Sequence, residues 1–462
     1  MPLLDTADQR PVHFVGIAGA GMSALAELLV RRGIAVTGCD ANPDGAEDLR
    51  RLGITVSPHD PDHVTGARAL VVTSAMPKDH PELRRARECG VPVIRRAEAL
   101  GEVTRGHELV AIAGTHGKTT TTVMTTEALS AAGRDPTGVV GGRVAAWSGN
   151  LRAGGDRLYV VEADEYDRSF LALTPTVAVV TNIEADHLDI YSGIADIRGA
   201  FAQFVSPART VVLCGEDEGI AAMRLPSGAE VIRYAIAGAN GERDARLVAR
   251  AARQHGSGVA YDAEYDGEAL GTVRLNVTGR HNILNSLAAL GAGLALGAAA
   301  PELIRGLDSF RGVERRFERI GEARGVTILD DYAHHPTEIA ATLAAARGAF
   351  PGHRVLVAFQ PHLFSRTRDF AREFANSLAG ADALYLTEIY PSRERPIPGI
   401  TSMLIVDHLG AASANLAWRG DRRELARVVA NDAQPGDVVV FMGAGDITES
   451  GPELLALLQA SR

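Results

Sequence analysis

Lysine is almost missing from this chain. Only Lys78 and Lys118 occur in 462 residues, so arginine fills nearly every cationic role, and a lysine kept under that bias implies a need for a compact ammonium. Cysteine is scarce too: Cys39, Cys89 and Cys214 are widely spaced and odd in number, which argues against a disulfide framework and against a zinc motif. There is no basic excess. A net charge of −10 opposes a nucleic-acid binder that works by neutralising phosphates over a broad face. The longest apolar run, Leu287 to Ala300, is mostly Ala and Gly and too short for roughly 30 Å of hydrocarbon, so it reads as a buried helix with no membrane insertion. Met1 to Pro11 carries two aspartates and no apolar core, so it reads as neither signal peptide nor anchor, and the expected location is cytoplasmic.

What is present is an ordinary globular composition, 46% hydrophobic and 23% charged, in a chain too long for one core. Val12–Ile17 reads as a buried strand, followed by a Gly-rich turn, an apolar-periodic helix from Met22 to Arg32 and a strand from Ile34 to Cys39. Strand-like Ala69–Thr73 and Val91–Ile94 flank the helical Pro81–Cys89, and the polar stretch Glu102–His107 reads as a linker. A second unit has strands at Leu109–Ala113, Leu158–Glu162 and Val177–Asn182 and a helix from near Arg280. A third follows the Gly- and Arg-rich stretch Phe310–Arg319, with strands Thr327–Asp330, Arg354–Phe359 and Asp437–Phe441 and a helix Thr337–Arg347. The alternation predicts an α/β chain of three domains: residues 1–104, Rossmann-like; 105–312, a central P-loop ATPase-type parallel sheet; and 313–462, Rossmann-like again.

The strongest chemical signal is Gly114-Thr115-His116-Gly117-Lys118-Thr119, between a hydrophobic strand and a Thr-rich segment, with Thr120 next in line. Closely spaced glycines let backbone N–H groups converge on phosphate oxygens. The helix N-terminus adds its dipole, Lys118 meets the β/γ-phosphates and Thr119 can ligate magnesium. The first glycine comes two residues later than in the general pattern, so the loop is a shortened one.

Glu162 to Asp167 places four carboxylates in six positions at a strand end, where a metal beside a phosphate loop is usually held; a solvated acidic loop is the rival. Thr181 to Asp189 ends another strand with a similar cluster that includes His187, an imidazole magnesium seldom chooses. The turn Gly16-Ile17-Ala18-Gly19-Ala20-Gly21 is weaker, because its spacing fits a dinucleotide fingerprint only if Ala18 stands in for the middle glycine. Asp40 closes the second strand where an acid can accept a ribose hydroxyl, which favours a nucleotide-type ligand. Gly279-Arg280-His281-Asn282 with Asn285 suits a nucleotide's phosphates and base edges, and plain helix capping equally. Arg315-Arg316, Asp330-Asp331-Tyr332, His334-His335-Pro336 and Arg366-Thr367-Arg368 fall at strand ends or short loops; with no third ligand at metal spacing, the paired histidines read as substrate-binding.

The order of these motifs resembles that of the Mur ligases over nearly the whole chain. HFVGIAGAGMS at 13–23, DDYAHHPTE at 330–338 and FQPHLFSRTRDF at 359–370 are similar to the family's alanine-adding branch. That resemblance implies an ATP-dependent ligation of L-alanine to UDP-N-acetylmuramate through an acyl phosphate, in cell-wall precursor synthesis, by a monomer or weak homodimer with its active site between domains. It gives the UDP-substrate to the first domain, through Gly16, Ala18, Gly19, Ala20, Gly21, Met22, Ser23, Asp40 and Ser74. Lys118 and Thr119 go to ATP phosphates and magnesium, with Glu162 at a first metal site and His187 at a second. His281, Asn282, Asn285, Arg316 and Asp331 go to the nucleotide, and Tyr332, His335 and Arg366 to the muramoyl carboxylate or alanine, with Lys118, His187 and Arg366 expected to be catalytic. Relatives adding later amino acids use a carbamoylated lysine, which a chain without lysine after Lys118 cannot supply. Tyr166 replaces a serine usual in the alanine-adding branch and is found in the branch that recycles a murein tripeptide, whereas His334-His335-Pro336 favours alanine. A nucleotide-switched binding protein is the alternative of another class, and a dehydrogenase would rest on the Gly16–Gly21 turn alone.

Overall fold

Short apolar strands, the central ones wholly buried, alternate with helices and assemble into three sheets, the pattern expected where helices cover both faces of parallel strands. The computed structural model describes residues 3–73, 76–255, 257–392 and 394–460. The first sheet contains β1 (Val12–Val15), β2 (Val36–Cys39), β3 (Thr55–Ser57), β4 (Ala69–Val72) and β5 (Val93–Arg95) in the order β3-β2-β1-β4-β5, all parallel. The winding direction reverses between β1 and β4, so a crevice opens beyond the end of β1, where the Gly16–Gly21 turn lies.

Several boundaries move for local reasons. β1 stops at Val15 because Gly16, at φ +80°, starts the turn, and the N–H groups of Gly16 and Ile17 both reach the Cys39 carbonyl. The helix begins at Ala20, before Met22, and Ile34 belongs to its C-terminal turn, since the Ile34 N–H donates to the Leu29 carbonyl across Gly33. Val91 caps the preceding helix by donating to Ala86, which delays β5 to Val93. Glu102 to Thr104, expected in a linker, are the last turn of a helix spanning Arg96–Thr104.

The second sheet has ten strands: β6 (Glu108–Ala113), β7 (Thr137–Val144), β8 (Gly149–Arg152), β9 (Leu158–Glu162), β10 (Val177–Val180), β11 (Thr210–Cys214), β12 (Glu230–Ile236), β13 (Leu247–His255), β14 (Gly258–Tyr265) and β15 (Glu268–Leu275). Its order is β15-β14-β13-β12-β11-β10-β6-β9-β7-β8. β9 and β10 flank β6 in parallel, so three segments distant in sequence end side by side. The helix Lys118–Ala131 follows β6 and carries six threonines, of which Thr122, Thr125 and Thr126 each donate a hydroxyl to the carbonyl four residues back. The apolar run at 287–300 is not one helix: Arg280–Ala295 ends, Gly297 turns at φ +72°, and a new helix runs Ala300–Ser309.

The third sheet comprises β16 (Glu318–Ala323), β17 (Val326–Asp331), β18 (Val355–Phe359), β19 (Ala383–Thr387), β20 (Leu416–Gly420) and β21 (Val438–Met442), in the order β16-β17-β21-β18-β19-β20. Only β16 pairs antiparallel; it begins within the Gly- and Arg-rich stretch Phe310–Arg319, and ERIGEA has no run of apolar residues to mark it as a strand. The chain divides into two compact units: Met1–Arg253 with Ala260–Leu275 and Ile283–Phe310, which holds the first two sheets, and Gln254–Val259 with Asn276–Asn282 and Arg311–Arg462, which holds the third. Among the described residues no helix is long and apolar enough to cross a membrane.

Candidate active site

The loop from Gly114 to Thr119 joins β6 to the helix that Lys118 begins. Gly114 sits at φ +144°, where a Cβ would lie 1.9 Å from Thr181 Oγ1, and Gly117 at φ +79°, where a Cβ would lie 2.6 Å from Asn285 Oδ1. Both positions therefore demand glycine, and Asn285 abuts the loop. The segment after β10 braces it: the His116 N–H donates to Asn182 Oδ1 at 2.8 Å, Thr181 Oγ1 donates to the His116 carbonyl at 2.6 Å, and the Glu184 N–H donates to Thr115 Oγ1 at 2.9 Å. A loop held from outside can keep its own N–H groups directed at an anion. Thr120 is buried in the first turn of the helix.

Lys118 already has a charged partner. Its Nζ donates to the Gly114 carbonyl at 2.7 Å and to Glu165 Oε2 at 2.8 Å. Burial opposes the ammonium charge, but Glu165, Asp164 and Glu162 outweigh it and raise the lysine pKa. Glu165 is raised as well, up to about 7, by burial that Lys118 only partly offsets. The geometry supports a charged lysine, with the carboxylate as the partner that yields. Beside this pair, Thr119 Oγ1 donates to Glu162 Oε2 at 2.9 Å, and the same oxygen accepts the Gly141 N–H at 2.7 Å.

Asp164, Glu165 and His187 offer ligand atoms all within 4.8 Å of one another. His187 Nε2 lies 3.8 Å from Glu165 Oε1, and the residue occupies φ +53°, a left-handed conformation uncommon outside glycine and found at sites that store strain. Oxygen donors at Thr119 and Glu162 and the Asp164, Glu165, His187 group together fit hard divalent cations, the imidazole being the less usual member.

The first-sheet turn closes on the same region. Asp40 accepts the Ala18 N–H at 2.9 Å and the Asn42 N–H at 3.0 Å, so its carboxylate fixes the turn. Ser23 Oγ donates to the Ala20 carbonyl within the first helical turn. A cleft of about 260 Å³ is lined by Gly19, Gly21, Met22, Arg96, Glu162 and Asp164, which brings the turn and the metal-type carboxylates to one space. Ser74 lies outside the described residues.

In the second unit, Asp331 is buried at the end of β17 and accepts the N–H groups of Phe317 and Ala333 at 2.9 and 2.8 Å. Burial raises it to about 6, against the pull of Arg316. Arg315 and Arg316 lie over the Tyr332 ring at 4.9 and 5.0 Å, and Arg316 is 3.7 Å from Glu338. His335 caps the helix Pro336–Ala349 through Nδ1, which accepts the Thr337 N–H at 3.4 Å. Arg366 is buried in the short helix Phe364–Asp369. His281 begins the helix Arg280–Ala295 with its pKa lowered to about 4, by burial first and then by Arg316, and Asn282 Nδ2 donates to the Thr278 carbonyl at 2.7 Å.

Three family descriptions match in chain order: Mur ligase family, catalytic domain, over 11–108; Mur ligase middle domain over 112–293; and Mur ligase, glutamate ligase domain, over 315–445. A UDP-N-acetylmuramate–L-alanine ligase of Streptomyces avermitilis is 44% identical over 98% of both chains. The chain belongs to the Mur ligase family. A protein of the same description from Oleidesulfovibrio alaskensis is 42% identical, covering 95% of this chain and 97% of its own. A solved UDP-N-acetylmuramate–alanine ligase from Thermotoga maritima superimposes with a TM-score of 0.82 at 29% identity, over 98% of this chain and all of that one. A murein peptide ligase from Psychrobacter arcticus shares the fold, with a TM-score of 0.71 at 23% identity.

Within this Mur ligase the sequence motifs missed two groups that the structure brings to the site. Arg96 opens a helix with no motif around it, yet its guanidinium lies 3.0 Å from where a Gly21 Cβ would stand. Glu165 was one of four acids in a run, and only the fold distinguishes it as the lysine's partner.

Proposed function

We propose that this Mur ligase joins L-alanine to the lactyl carboxylate of UDP-N-acetylmuramate, using ATP and giving UDP-N-acetylmuramoyl-L-alanine, ADP and phosphate. The observation that carries the reading is end-to-end similarity at 42–44% to alanine-adding ligases. The lactyl carboxylate attacks the γ-phosphate in line, forming an acyl phosphate and ADP. Lys118 leaves Glu165 to neutralise charge on the transferring oxygens, and the preset loop N–H groups need no reorganisation as that charge develops. A bound magnesium, held by Thr119 and Glu162, with His187 at a second site, would spread the remaining phosphate charge. The amine of alanine then attacks the activated carbonyl, and the tetrahedral species collapses to amide and phosphate.

We assign the first domain, 1–104, to the UDP moiety, 105–312 to ATP, and 313–462 to closing residues. Gly16, Ala18 to Ser23, Asp40 and Ser74 hold the UDP-sugar; His281, Asn282, Asn285, Arg316 and Asp331 serve the nucleotide; Tyr332, His335 and Arg366 serve the carboxylate or alanine. The enzyme acts in the cytoplasm as a monomer or weak homodimer. Phosphate release from ATP with UDP-N-acetylmuramate tests the reading, comparing L-alanine, the murein tripeptide and no amine. Release and amide product with alanine are expected; tripeptide preference supports the recycling reaction, and amine-independent hydrolysis a nucleotide switch. Labelled lactyl oxygen appearing in the released phosphate tests the acyl phosphate.

A further inference from the structure

Next to the Gly16 turn, four elements of the first sheet's domain direct donor atoms at one point. His13 comes from β1, Cys39 from the end of β2, His63 from the turn Pro61–Val64, and Glu82 from the helix Pro81–Cys89. One ligand atom from each lies within 4.8 Å of all the others. His13, Cys39 and Glu82 are buried to 2%, 0% and 0% exposure. Cys39 Sγ is 3.1 and 3.2 Å from the two Glu82 oxygens, and His59 Nδ1 stands a further 3.1 Å from the sulfur.

The two histidines decide what the cluster is for. Each uses one ring nitrogen on a hydroxyl, His13 Nδ1 with Thr37 Oγ1 at 2.9 Å and His63 Nε2 with Ser57 Oγ at 3.2 Å. The other nitrogen of each, His13 Nε2 and His63 Nδ1, is buried with no hydrogen-bond partner among the described residues. A buried ring nitrogen left unbonded is costly, whereas a metal-bound imidazole has this pattern, one nitrogen on the ion and the other oriented by a neighbour.

We propose that His13, Cys39, His63 and Glu82 form a structural site for a divalent zinc-type cation. One sulfur, two imidazole nitrogens and a carboxylate oxygen, on residues of which all but His63 are buried, suit tetrahedral zinc and not magnesium. Tetrahedral zinc places its ligand atoms roughly 3.3–3.6 Å apart, so the cluster needs only a modest contraction. On binding, Cys39 gives its thiol proton to solvent and coordinates as thiolate. Spacing could not reveal the site, because its four ligands are spread over 70 positions and meet only through the sheet. The Cys39 carbonyl accepts the N–H groups of Gly16 and Ile17, so the ion would also anchor the turn.

The test is optical. The full chain, stripped with a chelator, is titrated with cobalt(II) and followed for thiolate-to-cobalt charge transfer in the near ultraviolet and ligand-field bands in the visible. One thiolate-bound cobalt per chain, read from the charge-transfer band, is expected in the wild type and in Cys89→Ser. The band should be absent in Cys39→Ser and 10–100-fold harder to saturate in Thr37→Val, which removes the orienting hydroxyl. Should Cys39→Ser fail to fold, the less buried His63→Gln replaces it, with cobalt affinity expected to drop at least tenfold on the scale of lost coordination. No thiolate band in the wild type, a band retained in Cys39→Ser, or unchanged affinity in His63→Gln overturns the proposal.

Discussion

Replacing Lys118 by methionine separates two things that one ammonium does. Its side chain is 14% exposed and that of Glu165 4%, so the pair counts as buried, and removing one partner of a buried pair costs about 3–5 kcal/mol. Glu165, whose folded pKa already lies above its ordinary 4.5, then rises further because burial acts without the lysine's offset. A carboxyl with a raised folded pKa keeps its stability contribution below the unfolded value and loses it as pH rises through the folded one. The full cost in Lys118→Met is therefore expected near pH 8. It should shrink by about 1.4 kcal/mol for each pH unit down to about 7, below which the wild-type carboxyl takes a proton as well and the difference levels off. Adding Glu165→Gln should recover most of the stability at pH 8. It should recover no activity, because the charge on the transferring phosphate stays unopposed and turnover remains down by at least about 10²–10³, or roughly 3–4 kcal/mol. Denaturant melts at pH 6 and 8 together with phosphate release read both effects. A double variant as unstable at pH 8 as Lys118→Met, or near-normal turnover in either, refutes the reasoning.

Gly114→Ala meets both a φ of +144° and the Thr181 hydroxyl, so we expect a loss of about 1–3 kcal/mol and no measurable binding of an ATP analogue by calorimetry. Asp40→Ala removes the acceptor of the Ala18 and Asn42 N–H groups, and should raise KM for the UDP-sugar about tenfold or more with kcat little changed, in steady-state assays. His281 has a depressed folded pKa, near 4, so its contribution is present above about 6.5 and lost as pH falls through 4. At most about 3 kcal/mol is involved, and His281→Asn should flatten the acid limb of a pH–stability curve.

Much of this was legible in the chain. The phosphate loop announced itself because glycines and lysine at fixed spacing carry their mechanism locally, and the strands before Gly114, Glu162-to-Asp167 and Thr181 were plain because each is a continuous apolar run. Their adjacency was not local: it follows from β9 and β10 flanking β6. Strand ends shifted where a helix cap claimed the residue, as at Ile34 and Val91. Edge strands such as Glu318–Ala323, half-exposed and charged, lack the apolar pattern that marks the interior ones. His13 and Glu82 passed as ordinary strand and helix residues, since nothing in their neighbours says which side chain faces Cys39.

The threonines behind the phosphate loop carry a consequence for folding order. Each threonine is worse than alanine in a helix by up to about 0.7 kcal/mol, so six of them weaken the Lys118–Ala131 helix by roughly 4 kcal/mol. Alone in water, such a peptide would stay unwound. It is ordered by β6, β7, β9 and the helix Ala300–Ser309 packed around it, so its amide protons should exchange only when that whole assembly opens. The anion-seeking end of the helix thus has no private melting step: between turnovers the nucleotide cradle persists as long as the central sheet does.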